Sequence, residues 1–177
     1  PLGGCFISVQ KGSIKSKFTT KSIEVDSTMW QSTTSGAEII LNENTVVSIF
    51  QRIDYVGMDT IGVLEKDGRL KYIDGCKDSI LFQPIVKGYP CFNALYMPIG
   101  VRQTMHTHPS TRAGIILEGN AYCETPEKTY PLEAGMIFFL PKEGLHKFRT
   151  DHKDGYLKLL AYHPDSDFGP DDQFHPM

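Results

Sequence analysis

Short apolar runs broken by Gly and Pro recur along the chain from residue 38 onward. Glu38–Leu41 and Thr45–Phe50 are β-prone and are separated by the turn signal Asn42-Glu43-Asn44; Val46, Val47 and Ile49 favour strand over helix. Asp59–Leu64 and Leu70–Ile73 follow, split by Lys66-Asp67-Gly68, which reads as a hairpin turn. Further strands are predicted over 79–86, 91–97, 101–108, 112–118, 120–124, 136–140, 145–150 and 156–162. Within them, a hairpin is predicted to fold Ile115–Leu117 onto Ala121–Cys123 around Gly119. Helical periodicity is almost absent, so the fold class is all-β, a sandwich or barrel. Residues 11–36 are rich in Ser, Thr and Lys and predict loop, a fraying arm or short edge strands. The organisation expected is therefore an N-terminal arm over 1–37 and a β-barrel over 38–163. An acidic, Pro-rich tail over 164–177 packs Phe168 and Phe174 on that barrel.

Composition narrows the function classes. The chain has 177 residues, 40% of them hydrophobic and 22% charged, enough to bury a core without disulfide staples. A net charge of −3 offers no basic surface to nucleic acid. No apolar run reaches the length of a membrane helix, and nothing up to Lys21 has the apolar stretch of a secretory signal. Cys5, Cys76, Cys91 and Cys123 form no C-x-x-C pair, which points to free thiols in a reduced, cytoplasmic protein. Cys91 and Cys123 read as small buried hydrophobes.

The chemistry concentrates around Gly100-Val-Arg-Gln-Thr-Met-His106-Thr-His108. Side chains at i and i+2 of a strand share a face about 6.6 Å apart, close enough for two imidazoles to converge on one ion. A third histidine, His146, emerges after the Pro/Gly turn of Gly135-Met-Ile-Phe-Phe-Leu-Pro141-Lys-Glu-Gly144-Leu-His146. The pair of segments resembles the cupin superfamily, whose motifs run G-x5-H-x-H-x3/4-E-x6-G and G-x5-P-x-G-x2-H-x3-N. Gly100, His106, His108 and Gly119 match the first motif. Gly135, Pro141 and His146 match the second, with Gly144 displaced by one position. The resemblance covers about residues 95–163. It implies a double-stranded β-helix (jelly-roll) barrel with extra N-terminal strands, a metal held by the histidines in the barrel mouth, and a homodimer. Two positions depart from the pattern: Arg112 stands where the family carries its metal-binding Glu, and Thr150 where it carries Asn.

Arg112 changes the local charge by two units beside a dication. It either points away from a three-histidine site, faces inward to pair with an anionic substrate, or marks a site without metal. Strand alternation from His106 and His108 places Arg102 and Thr104 on the same inward face, where Arg102 could orient an acidic ligand or cap the barrel end. Tyr96 is a candidate hydrogen-bond donor to the cavity or a core residue. Met105, Phe138, Phe139 and Phe148 read as barrel packing, Glu118 as an exposed hairpin tip, and His163 as a loop histidine or a partner for a metal-binding His. Asp165, Asp167, Asp171 and Asp172 lack the Gly and Glu of an EF-hand loop.

Three neutral imidazoles leave the full charge of a divalent transition metal available to anionic chelators. Iron(II) is favoured, with zinc, nickel, manganese and copper also compatible. The leading expectation is an iron-dependent dioxygenase acting on a small anionic molecule through His106, His108 and His146. The alternatives are a non-redox isomerase or lyase and a small-molecule binding or sensing domain.

Overall fold

The computed structural model describes residues 3–17, 22–150 and 155–171. Among them there is no α-helix, only one 3-10 turn at Ile73–Gly75 between strands. No helix is long and apolar enough to cross a membrane. The chain divides into two compact units, Pro1–Glu65 and Lys66–Met177.

The first unit contains β1 (Gly3–Lys11), β2 (Ser13–Lys17), β3 (Ser22–Asp26), β4 (Met29–Thr33), β5 (Glu38–Leu41), β6 (Val46–Ile53) and β7 (Thr60–Val63). They form a sheet in the order β6-β1-β4-β7 and a smaller one in the order β3-β2-β5. The arm expected over 1–37 is thus largely strand. Apolar side chains at alternate positions, Cys5, Ile7 and Val9 with Ile14 and Val25, build a core of their own. The polar texture that suggested a loop is itself buried: Ser8, Ser16, Gln31, Ser32 and Thr33 are all inside, and Gln31 Nε2 donates to Ser16 Oγ at 2.5 Å. Small hydroxyls whose hydrogen bonds are made internally fit a strand interior as well as a loop.

The second unit contains β8 (Leu70–Lys71), β9 (Lys77–Phe82), β10 (Cys91–Met97), β11 (Arg112–Glu124), β12 (Thr129–Glu133), β13 (Ile137–Leu140), β14 (Lys147–Arg149) and β15 (Leu157–His163). The sheet order is β12-β11-β15-β10-β9-β8, with β13 and β14 also paired to β11. All pairings are antiparallel, and the sheet closes as a double-stranded β-helix. Two predicted turns take other forms. Lys66-Asp67-Gly68 makes no hairpin, because β8 pairs forward with β9 at the start of the second unit. Gly119 is not a hairpin tip either. β11 runs unbroken through it, and its φ of 78° accompanies a register shift against β15 between Ile116 and Glu118. A glycine with positive φ inside a strand is the mark of a bulge as well as of a turn.

The barrel interior follows the two-residue strand period. Asp78 and Ile80 of β9, Cys91, Asn93 and Leu95 of β10, and Leu159, Ala161 and His163 of β15 line one side of a cavity of about 300 Å³. Phe138, Leu140, His146 and Phe148 line it from the opposite wall. Below it packs an apolar core that includes Met97, Ile116, Leu132 and Leu157. Phe138 and Phe148 are buried as expected, but Phe139 is 66% exposed and Met105 36% exposed. Phe139 alternates with Phe138 and Leu140 on β13, so it must face outward. From the tail, Phe168 lines the cavity while remaining partly exposed; Phe174 lies outside the described residues.

Candidate metal centre

His106, His108 and His146 come together at the cavity, and their ligand atoms all lie within 4.8 Å of one another. The ring centroids are 4.7 to 5.2 Å apart. Two of the three are fixed by backbone. His106 and His146 exchange both N–H···O=C bonds at 2.9 Å as an isolated antiparallel bridge, which holds their side chains on one face. The Nδ1 of His106 lies 2.7 Å from the Thr104 carbonyl, and that of His146 lies 2.8 Å from the Gly144 carbonyl. A carbonyl oxygen accepts only, so each Nδ1 carries the proton and each Nε2 keeps its lone pair for a ligand.

The electrostatics favour neutral rings. Burial pushes the His108 imidazole down to about 4, helped by the Arg112 guanidinium and by the other two histidines. Burial also holds His146 below the usual histidine range, against the opposing pull of its bond to the Gly144 carbonyl. Neutral imidazole is the ligating form, so the donor set suits a divalent transition metal.

The strand leading to His106 is not regular, and that decides which of its side chains reach the site. Gln103 N–H donates to the Phe148 carbonyl, and His106 N–H to the His146 carbonyl. The chain therefore advances by three residues on one side and by two on the other, which is a bulge at Thr104-Met105. Gln103 and His106 face inward together, whereas Arg102, Thr104 and Met105 face out. Arg102, a candidate for orienting an acidic ligand, is exposed and sits opposite Arg149 instead. Gln103, 4% exposed, takes the inward place; its amide oxygen accepts from Phe148 N–H at 3.0 Å and its Nε2 lies 3.3 Å from Cys76 Sγ. Tyr96 is also displaced from the site. Cys91, Asn93 and Leu95 line the cavity, so Tyr96 projects from the other face, where Lys158 Nζ stands 5.4 Å from its ring centroid.

Arg112 faces inward but meets the protein's own carboxylate. It is 6% exposed, its Nη2 donates to Asp167 Oδ1 at 2.9 Å, and its Nη1 donates to the Ser110 carbonyl at 3.1 Å and to Ser110 Oγ. The residue at the family's carboxylate position thus contributes an ion pair at the cavity wall, and the added positive charge is neutralised. Burial works against ionising Asp167, but its own backbone N–H and Arg112 outweigh it and hold the carboxyl below the usual range.

Several lining residues were read otherwise, or not at all, from the sequence. His163 ends β15 and lines the cavity rather than a loop, and burial, then Arg112, pushes it down to about 3. Asp167 looked like one acid among several in a tail. Asp78 and Asn93 sit on β9 and β10, where only the pairing register reveals that they face the histidines' cavity.

A double-stranded β-helix that gathers histidines from two strand segments at its mouth defines the cupin class of barrel. Residues 94–163, within the second unit, match the family model described as a cupin domain. Among solved structures, a Cupin 2 conserved barrel domain protein from Leptotrichia buccalis is similar, with a TM-score of 0.69 at 15% identity, covering 93% of this chain and 74% of its own. A protein of unknown function from Pseudomonas syringae pv. tomato has a TM-score of 0.67 at 12% identity, with 92% and 74% covered. At these identities the likeness is one of fold. No curated protein matches the sequence at a significant level.

Proposed function

We propose that the protein is a metal-dependent cupin enzyme acting on a small anionic molecule, an iron(II) dioxygenase in the first instance. The observation that carries this reading is the set of three inward imidazoles, two with their tautomers fixed, at the wall of a cavity of about 300 Å³. His106, His108 and His146 would hold one ion, and with no carboxylate among them its positive charge would draw an anionic ligand. When bound, iron would supply dioxygen chemistry, and zinc, nickel, manganese or copper would supply Lewis acidity.

The chain's own residues then do the rest. Phe138, Leu140 and Phe148 exclude water from the inner wall, and the Phe138 and Phe148 rings meet edge-on at a centroid distance of 6.2 Å. Arg112, bound to Asp167 and Ser110, is a fixed dipole at the wall rather than a free anion clamp. Gln103 presents a neutral amide whose orientation is set by its bond to Phe148. Asp78 favours a second reading, a lyase or isomerase. Burial raises its carboxyl above the usual range, against the hydrogen bonds from Asn93 and Ser79, so it holds a proton more readily than a surface carboxylate does.

The test is anaerobic reconstitution of the purified full chain with iron(II), followed by elemental analysis and an oxygen-consumption screen of small carboxylates and enols. Uptake of about one ion per chain is expected, falling at least roughly a hundredfold in affinity in His106→Ala. Failure of the wild-type protein to retain any divalent metal would sink the reading. Turnover without oxygen uptake would replace the dioxygenase with the lyase or isomerase.

A further inference from the structure

The cavity has further polar lining on β9 and β10, strands that carry none of His106, His108 and His146. Asn93 is 8% exposed and lines the cavity, yet its Oδ1 has no hydrogen-bond partner among the described residues. A buried carbonyl left without a donor is uncommon in a folded protein and marks a place where something else donates. Its orientation is not arbitrary. Asn93 Nδ2 donates to Asp78 Oδ1 at 2.8 Å, and that same oxygen accepts from Ser79 N–H at 2.8 Å. An oxygen already taking a backbone N–H is an acceptor, so it must face the amide nitrogen and turn the amide oxygen the other way.

Among the described residues no hydrogen-bond donor reaches that oxygen. On the inner face the register sets Asn93 opposite Ala161 of β15 and Ile80 of β9, with Cys91 and Leu95 two residues away along β10. Three of these four neighbours have no polar side-chain atom. The fourth, Cys91, is a weak donor at best, and burial pushes its thiol up to about 12. The histidines stand on other elements of the same cavity wall. A ligand reaching both the metal centre and Asn93 would therefore need an oxygen anion at one end and an N–H or O–H donor at the other.

We propose that Asn93, anchored by Asp78, is a donor-recognition subsite, and that it selects a small carboxylic acid bearing a hydroxyl or amino group at its far end. The inference rests on the metal-centre reading for the placement of the carboxylate. It adds what that reading lacks, a reason for the cavity to prefer one small acid over another.

The test uses the zinc-loaded full chain and isothermal titration calorimetry with matched acids: propionate, butyrate and valerate against their terminal hydroxy and terminal amino counterparts. Wild-type protein is expected to bind at least one substituted acid about tenfold or more tighter than the unsubstituted acid of the same length, because only it satisfies the buried oxygen. The hydroxy and amino arms show which donor is read. Asn93→Leu removes the acceptor at similar volume; it should reduce the preference to about one while binding the unsubstituted acid within about threefold of wild type. Asp78→Asn, which loosens the anchor, should weaken the preference without abolishing it, and it decides the matter together with wild type should Asn93→Leu fail to fold. If unsubstituted acids bind but no substituted partner exceeds them, or if the preference survives Asn93→Leu, the subsite is refuted and the metal centre stands. If zinc is retained but no acid binds, the carboxylate-at-metal reading falls and takes the subsite with it.

Discussion

A guanidinium withdrawn to 6% exposure gives up most of its hydration, and Arg112 replaces it with Asp167 and the carbonyls of Ser110 and Thr111. Removing one partner should therefore hurt more than removing both. Asp167→Asn is expected to lower stability by about 1–3 kcal/mol in urea unfolding, a range reduced from the fully buried case because the Asp167 side chain is 38% exposed. Arg112→Met combined with Asp167→Leu should recover most of that loss, and the double-mutant cycle measures the coupling. The three histidines were legible because they obey a local spacing rule. Arg112 was legible as an anomaly but its partner was not, since Asp167 stands 55 residues away in a stretch that reads as acidic tail.

Strand periodicity located most of the cavity wall and misplaced one stretch of it. On β10 it works throughout, and the choice for Tyr96 between facing the cavity and packing in the core was one of parity, which only the pairing with β9 and β15 settles in favour of packing. Around 101–106 it fails because the bulge inserts a residue and exchanges Arg102 for Gln103 at the site. Gly119 shows the same ambiguity, since a positive φ serves a bulge and a hairpin equally well. Gly114 is a different case. A Cβ built there would stand 2.1 Å from the Leu160 carbonyl oxygen and 2.3 Å from Phe138 Cζ. One clash is with backbone and the other with a packed ring, so neither relaxes cheaply. Gly114→Ala is expected to cost about 2–4 kcal/mol, read as a lowered Tm with the metal-binding residues themselves untouched.

Acid sensitivity belongs to the molecule as a whole, because it compares the folded chain with the unfolded one. His163 and His108 are neutral in the fold, pushed down to about 3 and about 4. Above the ordinary histidine pKa of about 6.5, both states are neutral at these positions and nothing is lost. As pH falls below that, the unfolded chain takes up protons the fold refuses, so stability declines until the folded values are reached. Denaturation at pH 5 should give a stability about 3–4 kcal/mol below that at pH 7, roughly half of it from each histidine with the less buried His108 discounted. His163→Gln should lose about 2 kcal/mol less over the same interval. At this scale the sequence revealed the barrel and the strands β5, β6 and β7 of the first unit, but left β1 to β4 open, where buried hydroxyl side chains carry the same letters as a loop.

β11 pairs with four other strands of the second unit, β12, β13, β14 and β15. Its partners arrive late in the chain: Ala113 meets Phe139 on one edge and Tyr162 on the other. Every one of those registers closes a loop, most of them long, and each loses chain entropy before its contacts reward it. Such a topology folds on the millisecond-to-second scale rather than in microseconds. The cavity exists only once both edges of this seam are joined, so it is expected to form late in folding, beyond the transition state. A ligand held there should accordingly leave the refolding rate nearly unchanged and act as a brake on unfolding.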